Sequence, residues 1–181
     1  LRERQLMYLS QTDLMTDICN RGYGEKIISE YLEKNIQGMF FLLDVDNFKR
    51  INDRYGHDAG DKVLIAIADV LKLNKRSNDI VMRLGGDEFA AYFVGIDTKE
   101  KADKVFKRLF KSINAIDVLP EKESIKVSVG TFFYRDDVDF DYIYKEADKG
   151  VYLSKKEKDK LKLPTLSGLG NIFRKAFGKK R

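Results

Sequence analysis

The chain has 181 residues, 43% of them hydrophobic and 12% aromatic, enough for one domain with a sizeable core and too few for two. No apolar run reaches the ~20 residues of a membrane span, nothing at the start reads as a signal peptide, and a single Cys19 excludes an internal disulfide. The net charge of +5 belongs to the end of the chain: residues 161–181 carry six basic side chains and no acid, so residues 1–160 net to −1 and predict no nucleic-acid partner.

The chain starts at Leu1 and reads as a piece of a longer protein, with residues 1–12 forming a short linker helix around Leu6 and Leu9. Ile27, Ile28, Tyr31, Leu32 and Ile36 recur at helical spacing and predict a core-facing helix. Met39 to Leu43 is a continuous apolar run ending at Asp44, the pattern of a central strand buried on both faces. Helical period returns from Asp58 to Leu73. Ile80–Met82 and Phe89–Val94 then flank Gly85-Gly86 as the strands of a hairpin. A helix through Ala102, Phe106 and Ile113 follows, then a strand alternating from Ile125 to Phe133, then a helix from Phe140 to Val151. The order predicts an α/β sandwich with a mixed, mainly antiparallel central sheet flanked by helices. Residues 161–181 are expected to be a flexible basic tail, since Gly168 and Gly170 interrupt its amphipathic pattern.

Chemistry concentrates at two places. Asp44 and Asp46 close a buried strand, where period two sets both on one side of the sheet, and Asp87 and Glu88 follow the double glycine at a hairpin tip. Hard oxygen ligands of this kind suit magnesium, which takes one or two protein carboxylates and completes its shell with phosphate and water. Read alone, the first pair could equally stop a strand and cap a helix at Phe48, and the second could be two exposed acids on a tight turn. A calcium EF-hand is excluded, because the positions needing glycine and glutamate hold Lys49 and Tyr55. His57, alone after a glycine at a helix start, is a local structural residue rather than a base.

Gly85-Gly86-Asp87-Glu88-Phe89, together with the run from Asp44 to Asp61, resembles the GGDEF domain of diguanylate cyclases over about Asp13 to Lys158. The resemblance implies a palm-like, nucleotidyl-cyclase-type sandwich over residues 13–160 and condensation of two GTP into cyclic di-GMP and pyrophosphate by a homodimer. It implies magnesium, with manganese able to substitute, held by Asp44, the Val45 carbonyl and Asp87. Asp87, assisted by Glu88, would help deprotonate the ribose 3′-hydroxyl. Asn52 and Asp61 would read the guanine edge, Gly85 and Gly86 would admit the phosphates, and Lys49 and Lys155 would face them with positive charge. Arg76-Ser77-Asn78-Asp79 is similar to the family's Arg-x-x-Asp product-inhibition site, with Arg76 and Asp79 as its contacts. An upstream sensor and a cytoplasmic location, including as part of a membrane-attached sensor, complete that expectation.

Two departures bear on activity. Asp17 stands where the family's opening signature has glycine; aspartate tolerates positive φ, so the turn is expected to survive. Asp159 stands where a basic residue near the phosphates is the family pattern, which weakens phosphate binding unless Lys158 or Lys160 compensates. The alternative to a cyclase is therefore a weak or inactive module that binds GTP or cyclic di-GMP as a regulatory sensor.

Overall fold

The computed structural model describes residues 2–161, with side chains as far as residue 156. Of the expected 161–181 tail, residues 162–181 lie outside the described residues, as do the side chains at Lys158, Asp159 and Lys160. In chain order come α1 (Arg2–Gln11), β1 (Thr12–Asp13), β2 (Ile18–Asn20), α2 (Arg21–Glu33), β3 (Gly38–Val45) and α3 (Phe48–Tyr55). They are followed by α4 (His57–Asn74), β4 (Ile80–Gly85), β5 (Glu88–Val94), α5 (Lys99–Asn114), β6 (Val127–Phe133) and α6 (Phe140–Leu161). One six-stranded sheet runs β1-β2-β4-β5-β3-β6. Every neighbouring pair is antiparallel except β2 with β4, which is the mixed, mainly antiparallel sheet the sequence predicts.

β3 lies between β5 and β6, and all eight of its residues are buried. Alternation along it divides the core in two. Met39, Phe41, Leu43 and Val45 face α4 and α5, packing with Val63, Leu64, Ile67, Leu71, Phe106 and Leu109. Phe40 and Leu42 face α2 and α6, against Ile28, Leu32, Ile143, Ala147 and Val151. Asp44 continues that second row, so its carboxyl is directed to the α2/α6 side.

Two caps fix where helices begin. The Asn20 side chain accepts a 2.9 Å bond from the Tyr23 N–H at the start of α2, and Thr98 accepts one of 3.3 Å from the Lys101 N–H at the start of α5. α6 lies almost on the backbone of β6. A Cβ on Gly130 would stand 1.7 Å from the Ala147 carbonyl oxygen, and one on Gly150 would stand 2.8 Å from Gly130 Cα. These glycines let helix and strand meet without side chains between them.

Three elements go beyond the predicted order. β1 and β2 hold two and three residues, too few to establish a period, and exist because β1 pairs with β2 and β2 with β4. α3 is separate from α4 because Gly56, at φ 88° and ψ 164°, breaks the helix between them.

Candidate active site

The end of β3 and the β4–β5 turn bring Asp44, Val45, Asp87 and Glu88 to one place. Asp44 is directly opposite Glu88 in the β3–β5 register, and one residue on, the Val45 N–H donates to the Asp87 carbonyl at 3.2 Å. The hairpin tip is thus hydrogen-bonded to the end of the central strand. Gly85 (φ 143°) and Gly86 (φ 53°) shape the turn, and a Cβ at either would meet no atom within 4 Å. Conformation rather than space therefore demands glycine in the chain by itself.

Asp44 is buried, and the Lys155 ammonium, brought over it by α6, lies 2.6 Å from Oδ1. Oδ1 makes no well-aligned hydrogen bond, so the contact is an ion pair rather than a directed bond. Burial pushes the Asp44 carboxyl above its usual range against the pull of Lys155, and the nearby Asp87 and Asp46 push it further. Burial also raises Glu88, with Asp44, Asp87 and Asp148 adding repulsion. Desolvation works against the Lys155 ammonium, but Asp44, Asp46 and Asp87 hold its pKa above the ordinary value. The site is an incompletely neutralised cluster of acids, a setting whose charge a cation relieves.

Asp46 has left the strand. Its Oδ1 accepts a 2.6 Å bond from Ser128 Oγ on β6, and its N–H donates to the Lys126 carbonyl at 2.9 Å. The residue before α3 is Asn47, in the left-handed region at φ 56°, so neither Asp44 nor Asp46 occupies the capping position. Among the described residues, no three Asp, Glu, His or Cys side chains are grouped to hold a metal ion unaided. The donor set fits a cation that draws its remaining ligands from substrate oxygens and water.

The helix break at Gly56 has a geometric effect on the candidate guanine readers. Asn52 and Asp61 are nine residues apart, which on one unbroken helix would place them about 180° from each other. The break folds the start of α4 back onto α3 instead. A Cβ on Gly60 would stand 1.9 Å from Asn52 Oδ1, and that oxygen is buried without a hydrogen-bond partner. The α3–α4 junction thus holds an unmatched acceptor against Gly60, the residue before Asp61, and a buried acceptor left without a donor costs free energy. α3 is fixed from its far side: Arg50 and Arg54 each lie 3.1 Å from Glu123, Arg54 lies 2.6 Å from Glu121, and Tyr55 donates to Glu123 at 2.6 Å. Lys49, in the first turn of α3, is exposed.

Arg76 and Asp79 stand in one turn but do different things. Asp79 is 4% exposed; its oxygens accept from the Arg76 N–H at 2.7 Å and the Val94 N–H at 2.9 Å. Arg76 is exposed. Sequence reasoning missed Arg83, whose Nη2 and Nε donate to the Gly86 carbonyl at 2.8 and 3.2 Å while Nη1 reaches Asp13 at 3.4 Å. Its side chain is only 12% exposed, and it braces the hairpin tip. A lone arginine between buried Met82 and Leu84 was the available signal.

The chain matches the family model "Diguanylate cyclase, GGDEF domain" over residues 10–160. Diguanylate cyclase A of Treponema denticola is 32% identical over 165 residues, which cover 86% of this chain and 44% of the relative. The diguanylate cyclase SiaD of Pseudomonas aeruginosa, solved with its activator SiaC, superposes with a TM-score of 0.77 at 28% identity, covering 86% of this chain and 63% of that one. The coiled coil and GGDEF domain of DgcB from Caulobacter crescentus, solved with c-di-GMP, shares the fold with a TM-score of 0.76 at 22% identity and 86% of each chain covered. The chain spans less than half the length of the curated relatives it matches. No helix among the described residues is long and apolar enough to cross a membrane.

Proposed function

The chain belongs to the GGDEF domain family of diguanylate cyclases, and from that premise we propose that it condenses two GTP into cyclic di-GMP with release of two pyrophosphates. The observation that carries this reading is the hydrogen-bonded junction of Asp44-Val45 with Asp87-Glu88, which groups acids beside a glycine turn. A pure nucleotide-binding module has little use for so many acids beside phosphates.

In this reading the Asn52 amide and the Asp61 carboxylate take the guanine edge, which adenine could not satisfy without leaving them unmatched. Lys49 and Lys155 face the phosphates, Lys155 exchanging its carboxylate partner for one. Asp44, the Val45 carbonyl and Asp87 would hold magnesium, which supplies neutralisation of the phosphate charge. Asp87 takes the proton of a 3′-hydroxyl, Glu88 supporting it with a second carboxylate. The 3′-oxygen bonds to the α-phosphorus of the opposing nucleotide, and the bond from that phosphorus to the pyrophosphate oxygen breaks. Each domain presents one GTP, so two domains must face each other and the step occurs twice. Product inhibition is assigned to exposed Arg76, whose guanidinium suits a phosphate or guanine acceptor.

The test is mass analysis of products from the chain with GTP and magnesium at high protein concentration, beside Asp87→Ala. Cyclic di-GMP is expected from the first and at least a hundredfold less from the second. GTP retained without product by the unsubstituted chain would leave the sensor reading in place of the enzyme.

A further inference from the structure

We infer that Asp17 is a latch that fixes the direction in which α1 enters the domain, holding Tyr8 of α1 with one carboxylate oxygen and Lys72 of α4 with the other. The Tyr8 hydroxyl donates to Asp17 Oδ1 at 2.6 Å, and Lys72 Nζ lies 2.7 Å from Oδ2. Apolar burial contributes little to this. α1 has no buried residue, and Leu6, Met7, Tyr8 and Leu9 are all close to half exposed or more. Besides Tyr8, the helix end is tied by Asn20 Nδ2 donating to the Ser10 carbonyl at 2.9 Å.

Asp17 is suited to the task by its backbone as well as its side chain. It sits in the left-handed region at φ 54°, and its N–H donates to the Asp13 carbonyl at 2.8 Å. Glycine adopts that conformation at less cost, so conformation alone does not account for an acid here. What aspartate adds is a carboxylate aimed at two elements at once. The pairing also lowers the Asp17 carboxyl pKa, through Lys72 first and Tyr8 second. α4 is the helix that carries Asp61, so a turn or pull on α1 reaches that helix through one carboxylate. The inference rests on these contacts alone and stands or falls independently of cyclase activity.

Amide hydrogen exchange of residues 2–11 in the full chain tests it. Tyr8→Phe and Asp17→Gly should each speed exchange of α1 by about threefold to tenfold, the loss of one charge-assisted bond at an exposed site. Combining them should add little, because both break the same contact. Asp17→Asn, which keeps the left-handed conformation and an acceptor oxygen, should fall between. Exchange in β3 serves as the folding control, and Tyr8→Phe, which deletes one exposed hydroxyl, decides the matter if Asp17→Gly perturbs the turn. Unchanged α1 exchange in Tyr8→Phe, fully additive effects, or exchange at the free-chain rate in the unsubstituted protein would overturn the latch.

Discussion

Replacing Asp79, itself buried, by alanine removes the acceptor of the part-buried N–H groups of Arg76 and Val94, and we expect a loss of about 1–3 kcal/mol in urea unfolding. Arg76→Ala removes an exposed side chain and should leave stability within about 0.5 kcal/mol, while relieving inhibition by added cyclic di-GMP; unchanged inhibition would remove Arg76 from that role. Glu88 offers a pH test. Its pKa is raised in the folded chain by burial and then by Asp44 and Asp87, so the folded state binds its proton more readily than the unfolded one. Above the folded pKa the ionised side chain costs stability, and acidification through that value removes the cost. Glu88→Gln should therefore unfold at higher urea than the parent at pH 7, with the advantage shrinking as pH falls toward the ordinary glutamate range, while turnover drops. At this scale the sequence was most legible where residue type and neighbours sufficed, as in placing Asp44 at a strand end and Asp87 at a hairpin tip. It was least so for Asp79, whose partners include an N–H fifteen residues away.

The joint between α6 and β6 decides where Lys155 stands. Because a Cβ on Gly130 would strike the Ala147 carbonyl and the Val151 nitrogen, which are backbone and cannot rotate aside, Gly130→Ala should cost about 3 kcal/mol or more. It should also lift α6, carry Lys155 away from Asp44 and weaken GTP binding beyond what the stability loss explains, as read by calorimetry at a temperature where the variant is folded. Gly24→Ala is the comparison: its Cβ would meet Met82 Sδ and Cγ, which a rotamer change moves, and Met82 Cβ at 2.8 Å, which needs only a small shift, so a smaller loss with Lys155 in place is expected. The long helices and the apolar strands were readable because their periods are strong. The close approach at Gly130 and Gly150 was not, since those glycines sit within ordinary strand and helix patterns and only the packing shows what they meet.

For the whole molecule, the reading of one GTP per domain predicts that turnover per domain climbs with protein concentration until dimers saturate, checked against sedimentation on the same samples. Unvarying turnover from a chain that sediments as a monomer would contradict the two-domain scheme. The layered architecture was legible from the order of periodic segments, whereas the short β1–β2 pair was not, because only pairing beyond the local segment makes it a sheet edge. The bend between α3 and α4 places a different kind of constraint on the chain. With α3 tied down through Glu123 and α4 anchored by Ile67 and Leu71 in the core, one residue inserted between Asn52 and Gly60 would rotate part of that junction by about 100°. Asn52 would then no longer rest against Gly60, even with every side chain retained. Spacing here should tolerate insertions and deletions far less than the exposed turn at residues 135–137, so a length-variant library would find this stretch rigid in number where its composition could still drift.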